Sequence, residues 1–223
     1  MEFWLDTIQA NSVKSNALLG LITGVTTNPE LLGKAKNVET TLLALLESFE
    51  GPLAVQVQAS TSNDMVAQGK TLYDFSDRII VKVPVTQEGL KTIYALTQSQ
   101  IPTMGTCVFA PEQALLAAKA GADYVALYLT RLEKSGGDSI ALLKASSRIF
   151  QNYHFETKLL AASISHVEQV EKCAELAIHA VTLRENVFKD LIEDHPLTLD
   201  AIQYFNECFK AEDASLLKPR HTV

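Results

Sequence analysis

The sequence has few of the residues that disulfide-built, metal-binding and membrane proteins depend on. Its three cysteines, Cys107, Cys173 and Cys208, form no CxxC pair, so we predict neither a disulfide framework nor a thiolate metal site. The five histidines form no HxH or HExxH pattern, so we predict no metal. No apolar run approaches the ~20 residues of a membrane span.

Motifs for nucleotides and for serine nucleophiles are missing as well. There is no GxSxG elbow, P-loop or dinucleotide fingerprint, so we expect neither a serine nucleophile of that type nor a bound nucleotide, and we predict no cofactor. Lys and Arg number 19 against 26 Asp and Glu, a net charge of −7. This balance argues against a nucleic-acid partner but permits a local basic pocket for an anionic substrate. The acidic N-terminus does not resemble a signal peptide, and we expect a cytoplasmic protein with no membrane partner.

Short apolar runs rich in Val, Ile, Leu and Ala recur along the chain, each followed by an amphipathic stretch. The runs predict strands at 2–6, 24–28, 53–58, 79–85, 103–108, 124–129, 158–163 and 180–184. The stretches predict helices at 8–19, 38–49, 63–75, 87–98, 111–120, 137–151, 166–178 and 186–192. Eight such units in 223 residues predict an α/β fold, a single-domain (β/α)8 TIM barrel over residues 1–223. An open, doubly wound sheet is the alternative.

Local signals mark three helix starts and one further helix. Ser165-His166-Val167-Glu168 fits a capping box, Pro111 fits a first helical position, and Thr86 precedes an acidic first turn. An extra C-terminal helix is predicted over 196–211, with a broad apolar stripe. The sequence leaves open whether this helix packs on its own barrel or on a neighbouring subunit.

Lys82 is the most informative residue for function. It stands inside the apolar strand Ile79–Val85, where an unpaired charge is costly. Pro84 cannot donate to a sheet ladder, so it should lie at the end of the strand and place Lys82 near the carboxyl end of the barrel. A structural ion pair or a side chain that reaches solvent is the alternative explanation.

Most of the other strands also have a polar side chain at their carboxyl end. A barrel with a purely structural role would have little reason to place polar side chains at the same end of so many strands. Because the active sites of such barrels lie at the carboxyl ends of the strands, we expect these side chains to meet there. They are Asp6, Thr26, Asn28, Gln56, Thr106, Tyr128 with nearby Arg131, and Ser163. Each has a simpler explanation alone, as a helix cap or a satisfied core residue.

The chemistry of this set suggests a carbonyl reaction. A lysine desolvated among Val and Ile has a lowered pKa, and its free amine can form a Schiff base. The iminium permits cleavage of a C–C bond, with proton transfer by Tyr128, Asp6 or an ordered water. Arg131 and Ser163 could bind a phosphate group.

Several segments together resemble the small transaldolase family, most closely its fructose-6-phosphate aldolase branch. They are Leu5-Asp6-Thr7, Gly24-Val25-Thr26-Thr27-Asn28-Pro29, Val81-Lys82-Val83-Pro84-Val85-Thr86, Ile101-Pro102-Thr103-Met104-Gly105-Thr106 and Leu160-Ala161-Ala162-Ser163. The resemblance covers nearly the whole chain. It implies an enzyme that acts on sugar phosphates and small ketones and that assembles as a homo-oligomer, a pentamer or decamer.

The resemblance also implies a role for each matching residue. Lys82 matches the Schiff-base lysine and Asp6 the aspartate beside it, while Thr26 and Asn28 match residues of the same pocket. Gln56, Thr106 and Tyr128 match the three residues that hold the water used in proton transfer. Arg131 and Ser163 match the phosphate-binding pair.

Two positions bear on the choice of reaction. Transaldolases usually carry Glu where Gln56 stands and Phe where Tyr128 stands, whereas the aldolase branch carries Gln and Tyr, as here. Ala126 also matches the aldolase branch. The resemblance therefore implies reversible cleavage of fructose 6-phosphate to dihydroxyacetone and glyceraldehyde 3-phosphate by an aldehyde-lyase. A transaldolase is the alternative, and a non-catalytic sugar-phosphate-binding barrel is a third possibility.

Two places depart from the family pattern, the segment Ile164-Ser165-His166 after Ser163 and the residue Arg184. Relatives commonly have Pro at the position of Arg184, at the end of the eighth strand. Arg184 could add charge near the phosphate or face solvent, and we expect it to face solvent.

Overall fold

The computed structural model describes residues 1–209, and its centre is a closed barrel of parallel strands. Each strand pairs with the next one along the chain, and β8 pairs back with β1. The strands are β1 Glu2–Asp6, β2 Ile22–Thr26, β3 Leu53–Gln56, β4 Ile79–Pro84, β5 Thr103–Val108, β6 Tyr124–Tyr128, β7 Lys158–Ala162 and β8 Ala180–Leu183. The predicted (β/α)8 barrel is therefore confirmed, and the open sheet is excluded because β8 closes onto β1.

Helices separate the strands. They are α1 Ala10–Ala17, α2 Pro29–Leu32, α3 Val38–Ser48, α4 Ser62–Phe75, α5 Gln87–Gln98, α6 Pro111–Lys119, α7 Leu129–Lys134, α8 Ser139–Asn152, α9 Val167–Glu175, α10 Glu185–Leu191 and α11 Pro196–Cys208. The short helices α2 and α7 were not predicted. Helix α7 follows the last residue of β6 directly, and α2 begins three residues after the end of β2. No helix in the described residues is both long and apolar enough to cross a membrane.

Two of the three predicted helix starts are present. The Thr86 hydroxyl accepts a bond from the backbone N–H of Gly89 at 3.0 Å, which caps α5, and Pro111 begins α6. The capping box at Ser165 is wrong, because His166 precedes α9 and its side chain makes no capping bond. The side chain of Gln169 instead accepts from the Ser165 N–H at 2.9 Å.

The barrel interior alternates large and small side chains. Trp4, Met104 and Leu160 are fully buried there beside Ala54 and Ala126. Such alternation lets the layers of a small barrel fill its interior without voids. A rigid interior of this kind fixes the carboxyl ends of the strands, on which the polar residues lie.

Trp4 also needs glycine on the neighbouring strand. A Cβ at Gly24 would lie 2.6 Å from the Trp4 ring, which is inside the contact distance of two carbon atoms.

At the amino ends of the strands, the Trp4 indole N–H donates to Glu2, which also binds Tyr124 and Lys158.

The described residues divide into two compact units, 1–190 and 191–209. The second unit contains α11, which begins at Pro196 as predicted and ends at Cys208. Residues 210 and 211 of the predicted helix lie outside the described residues. Among the described side chains of α11, Leu197, Ile202 and Phe205 are exposed. The domain limits and the packing of this helix stay predictions.

Candidate active site

A cavity of about 300 Å³ opens where the strands end. Six of the nine site residues predicted from the sequence line it: Asp6, Asn28, Lys82, Tyr128, Arg131 and Ser163. These residues come from five different strand ends and the segments beyond them. The expectation that polar strand ends meet at one place is therefore met for these six residues.

Lys82 lies in the floor of this cavity and is 5% exposed. Its Nζ atom donates to the backbone oxygen of Thr27 at 2.7 Å. Burial lowers the pKa of Lys82 below its usual 10.5, and the nearby Asp6 carboxylate and Cys107 oppose that effect. A lysine held in this way is a free amine in a larger fraction of molecules than a solvent-exposed lysine is. It is the kind of amine that attacks carbonyl carbons.

Asp6 is held at the cavity by two side chains from the end of β2 and the residue after it. The Thr26 hydroxyl donates to Oδ1 at 2.9 Å, and the Asn28 amide donates to Oδ1 and Oδ2 at 3.2 and 3.3 Å. Thr26 is buried and is not among the residues that line the cavity. Its place is behind Asp6, where it orients the carboxylate.

Tyr128 presents its phenol to the same cavity from the end of β6. Its hydroxyl lies 3.2 Å from the Thr106 hydroxyl and 3.9 Å from the Cys107 sulfur. Burial, with a smaller effect of Cys107, raises the pKa of Tyr128 to about 12. The phenol therefore carries its proton at neutral pH and can act as a proton donor.

The three residues predicted to hold a water are brought together only in part. Thr106 is buried and contacts Tyr128. Gln56 is the register partner of Lys82 on the neighbouring strand, which places the two residues at the same level of the barrel. Neither Gln56 nor Thr106 is among the residues that line the cavity.

The two residues predicted to bind phosphate reach the cavity from two neighbouring segments. Arg131 lies on α7, and its guanidinium is 5.4 Å from the centre of the Tyr128 ring. Ser163 directly follows β7 and has a φ of 56°. This left-handed backbone is uncommon for serine, and it turns the chain at the rim of the cavity.

The Arg184 side chain is 53% exposed, so it faces solvent as expected, but it also faces the cavity. Arg184 lines the cavity, with its Nε atom 3.9 Å from Asp6 Oδ2. Sequence reasoning also missed Lys134 and Thr182, which line the cavity too. The Thr182 hydroxyl lies 2.6 Å from that of Thr26. Thr182 could have been noticed in the sequence, because it is a polar residue inside the apolar run of β8.

Charge in the cavity differs from charge in the whole chain. Among the described residues, its lining contains the basic side chains of Lys82, Arg131, Lys134 and Arg184 and one acidic side chain, Asp6. A basic cavity in a chain of net charge −7 favours an anionic ligand.

Within the described residues, no three His, Cys, Asp or Glu side chains are grouped so that they could hold a metal ion.

Comparison with known proteins agrees with this geometry. The family model described as Transaldolase/Fructose-6-phosphate aldolase matches residues 3–218. The chain belongs to this family. It is therefore an enzyme of the transaldolase/fructose-6-phosphate aldolase family, and the cavity is its candidate active site.

Curated relatives in this family are similar to the chain over almost their whole length. A protein of Chlorobium chlorochromatii named "Probable transaldolase" is 37% identical over 93% of this chain and 97% of its own. One of Lactiplantibacillus plantarum with the same name is 37% identical over 96% and 99%. Another, from Aquifex aeolicus, is 36% identical over 92% and 94%.

Proposed function

We propose that this enzyme cleaves a ketose phosphate through a Schiff base on Lys82. The Lys82 amine adds to the ketone carbon, and loss of water gives an iminium. Cleavage of the adjacent C–C bond leaves its electron pair in a three-carbon enamine on Lys82 and releases an aldehyde. The observation that carries the proposal is the buried Lys82, with its lowered pKa, in the floor of a basic cavity.

The neighbours of Lys82 suit the proton transfers that this cleavage needs. The hydroxyl next to the breaking bond must lose a proton as the aldehyde forms, and the carbinolamine oxygen must gain one as water leaves. Asp6 is a fixed acceptor beside Lys82, and Tyr128 is a protonated donor at neutral pH. Groups placed in this way contribute about 10²- to 10⁴-fold to such reactions.

The far end of the substrate would meet the basic rim of the cavity. Arg131 offers a planar guanidinium, and Ser163 adds a hydroxyl. Guanidinium groups bind phosphate through charge-assisted hydrogen bonds. We therefore propose a sugar phosphate as the substrate, with its phosphate at Arg131 and Ser163.

The fate of the enamine separates two candidate reactions. The names of the relatives favour transfer of the three-carbon unit to an aldose phosphate, which is the transaldolase reaction. They favour it over the aldehyde-lyase that the sequence implied. One observation keeps the lyase as a second candidate: the Tyr128 phenol, paired with Thr106 at 3.2 Å, could deliver a proton to the enamine carbon. Protonation and hydrolysis would then release free dihydroxyacetone.

The two candidates are separated by one substrate assay. Purified enzyme is given fructose 6-phosphate, with and without erythrose 4-phosphate, and glyceraldehyde 3-phosphate and free dihydroxyacetone are measured. A transaldolase forms glyceraldehyde 3-phosphate only when the acceptor is present, whereas a lyase forms both products without it. If neither product forms with both sugars present, cleavage of fructose 6-phosphate is disproved. The Lys82→Met variant is the control for contaminating activity.

We propose that the enzyme works in the cytoplasm. We also propose that it needs no cofactor, because the iminium formed on Lys82 accepts the electron pair of the breaking C–C bond. We also propose a homo-oligomer. The exposed apolar side chains on α11, such as Ile202 and Phe205, are of the kind that subunit interfaces cover. Sedimentation as a monomer at micromolar concentration would remove the oligomer from this proposal.

A further inference from the structure

Two arginines at the rim of the cavity converge on a single carboxylate. Arg184 Nη2 lies 3.4 Å from one oxygen of Glu30, and Arg131 Nη2 lies 3.7 Å from the other. Arg184 follows β8, Arg131 lies on α7, and Glu30 lies on α2. Three segments that are distant in the chain therefore meet at one ion-pair cluster.

The two arginines line the cavity, whereas Glu30 is not among the residues that do. Both arginine side chains are more than half exposed, at 58% for Arg131 and 53% for Arg184. An anion in the cavity can therefore reach both of them. The effect of Arg184, followed by that of Lys34, lowers the pKa of Glu30, so Glu30 is a carboxylate at neutral pH.

From this geometry we infer that Arg184 is a specificity-determining residue, which binds the phosphate of the substrate together with Arg131. In the free enzyme Glu30 occupies the place between the two arginines. A phosphate dianion carries more charge than a carboxylate and has three oxygens to offer, so it can replace Glu30 as the partner of both guanidinium groups. This inference rests on the proposed function, because it assumes that sugar phosphates enter this cavity.

A different role for Arg184 is also open to test. Its Nε atom lies 3.9 Å from Asp6 Oδ2, so Arg184 could act only by orienting Asp6 beside Lys82. That role would affect every carbonyl substrate in the same way. A phosphate-binding role affects only substrates that carry the phosphate, and the two roles therefore predict different patterns of KM.

The test compares an aldose phosphate with the same aldose lacking its phosphate. Glyceraldehyde 3-phosphate and glyceraldehyde are each condensed with dihydroxyacetone by the wild-type enzyme and by Arg184→Gln. A charge-assisted hydrogen bond to a half-exposed arginine is at the lower end of the usual range, so we expect KM for the phosphorylated aldose to rise about tenfold. KM for glyceraldehyde, and borohydride trapping of dihydroxyacetone on Lys82, should stay unchanged.

Lys34 provides a matched control. Its Nζ atom lies 3.5 Å from Glu30, at the same rim, but Lys34 is not among the residues that line the cavity. Lys34→Gln removes the same charge and the same kind of Glu30 contact. We expect it to leave KM for glyceraldehyde 3-phosphate within about twofold of the wild-type value, as is usual for an exposed ion pair.

Glu30→Gln tests the replacement step. Removing the competing carboxylate frees both arginines, so we expect KM for glyceraldehyde 3-phosphate to fall by about two- to fivefold. Inorganic phosphate should become a stronger competitive inhibitor by the same factor. A rise in this KM would show that Glu30 holds the arginines in place for the phosphate and would overturn the replacement.

The outcomes separate the inference from the proposed function. If the wild-type enzyme traps dihydroxyacetone and Arg184→Gln weakens both aldoses equally, or neither, the phosphate role of Arg184 is wrong. If the wild-type enzyme traps no dihydroxyacetone, the Schiff-base function itself fails. An Arg184→Lys variant tests whether charge is what matters. If it has a lower KM than Arg184→Gln for glyceraldehyde 3-phosphate but not for glyceraldehyde, the role of Arg184 is based on its charge.

Discussion

Replacing Tyr128 by phenylalanine removes one hydroxyl from the cavity and keeps the ring. The ring packs edge-to-face on Phe109 at 5.4 Å, and both that contact and the Arg131 contact remain. The lost bond to Thr106, 3.2 Å long, joins two neutral groups and contributes about 0.5–1.5 kcal/mol. For a protein of this size the expected loss of Tm is about 1–6 °C. The variant should therefore fold.

The effect of Tyr128→Phe on turnover should be far larger than its effect on stability. If the phenol protonates the enamine, release of dihydroxyacetone should fall by at least about 100-fold, the lower bound for a positioned general acid. Transfer to erythrose 4-phosphate should fall less, because the enamine carbon then bonds to an aldehyde carbon and not to a proton. A coupled assay for each product, with Tm from differential scanning calorimetry, measures all three quantities.

Tyr124 provides the matched control for this experiment. It lies on β6 as well, at the opposite end, and its hydroxyl donates to Glu2 at 3.0 Å. Its pKa is also raised to about 12, chiefly by burial. Tyr124→Phe should lower Tm at least as much and leave both reactions at wild-type rates. Wild-type release by Tyr128→Phe, or an equal loss in both variants, would refute the proton-donor role.

Three further predictions concern Lys82 and the barrel interior. Because burial lowers the pKa of Lys82, the unfolded chain binds this proton more tightly than the folded protein, and stability falls as pH drops below the usual 10.5. Lys82→Met should therefore raise Tm at neutral pH, with the gain shrinking at alkaline pH; an equal gain at all pH values would contradict this. Asp6 raises the pKa of Lys82, so Asp6→Asn should move the acidic limb of the borohydride-trapping rate to lower pH, and a move to higher pH would disprove the coupling. Gly24→Ala would place a Cβ 2.6 Å from Trp4 and should cost about 1–3 kcal/mol in the free energy of unfolding, whereas wild-type urea unfolding would show that Trp4 can shift freely.

The barrel could be predicted because its signals are local. Each strand is a short apolar run and each long helix an amphipathic one, so position along the chain was enough to place them. Lys82 could be found in the same way, since a charge inside Ile79–Val85 conflicts with its surroundings. Thr182 carries the same signal in β8 and could have been found by the same rule.

The rest of the site depends on contacts between distant segments. Nothing near Arg184 in the sequence indicates that it reaches Asp6 and Glu30, because those contacts form only when β8 closes onto β1. The capping box at Ser165 failed for a similar reason. The Gln169 side chain accepts from the Ser165 N–H, and the Glu168 carboxylate lies 3.0 Å from His166 Nδ1. The S-x-x-E pattern does not reveal these competing contacts.

The central claim is that Lys82 forms a Schiff base, and covalent trapping tests it most directly. The enzyme is incubated with dihydroxyacetone, reduced with borohydride, digested and examined by peptide mass spectrometry. We predict one three-carbon adduct on Lys82, which is absent from Lys82→Met and retained in Lys134→Met, the other lysine that lines the cavity. No adduct on Lys82 in an otherwise active enzyme would contradict the account.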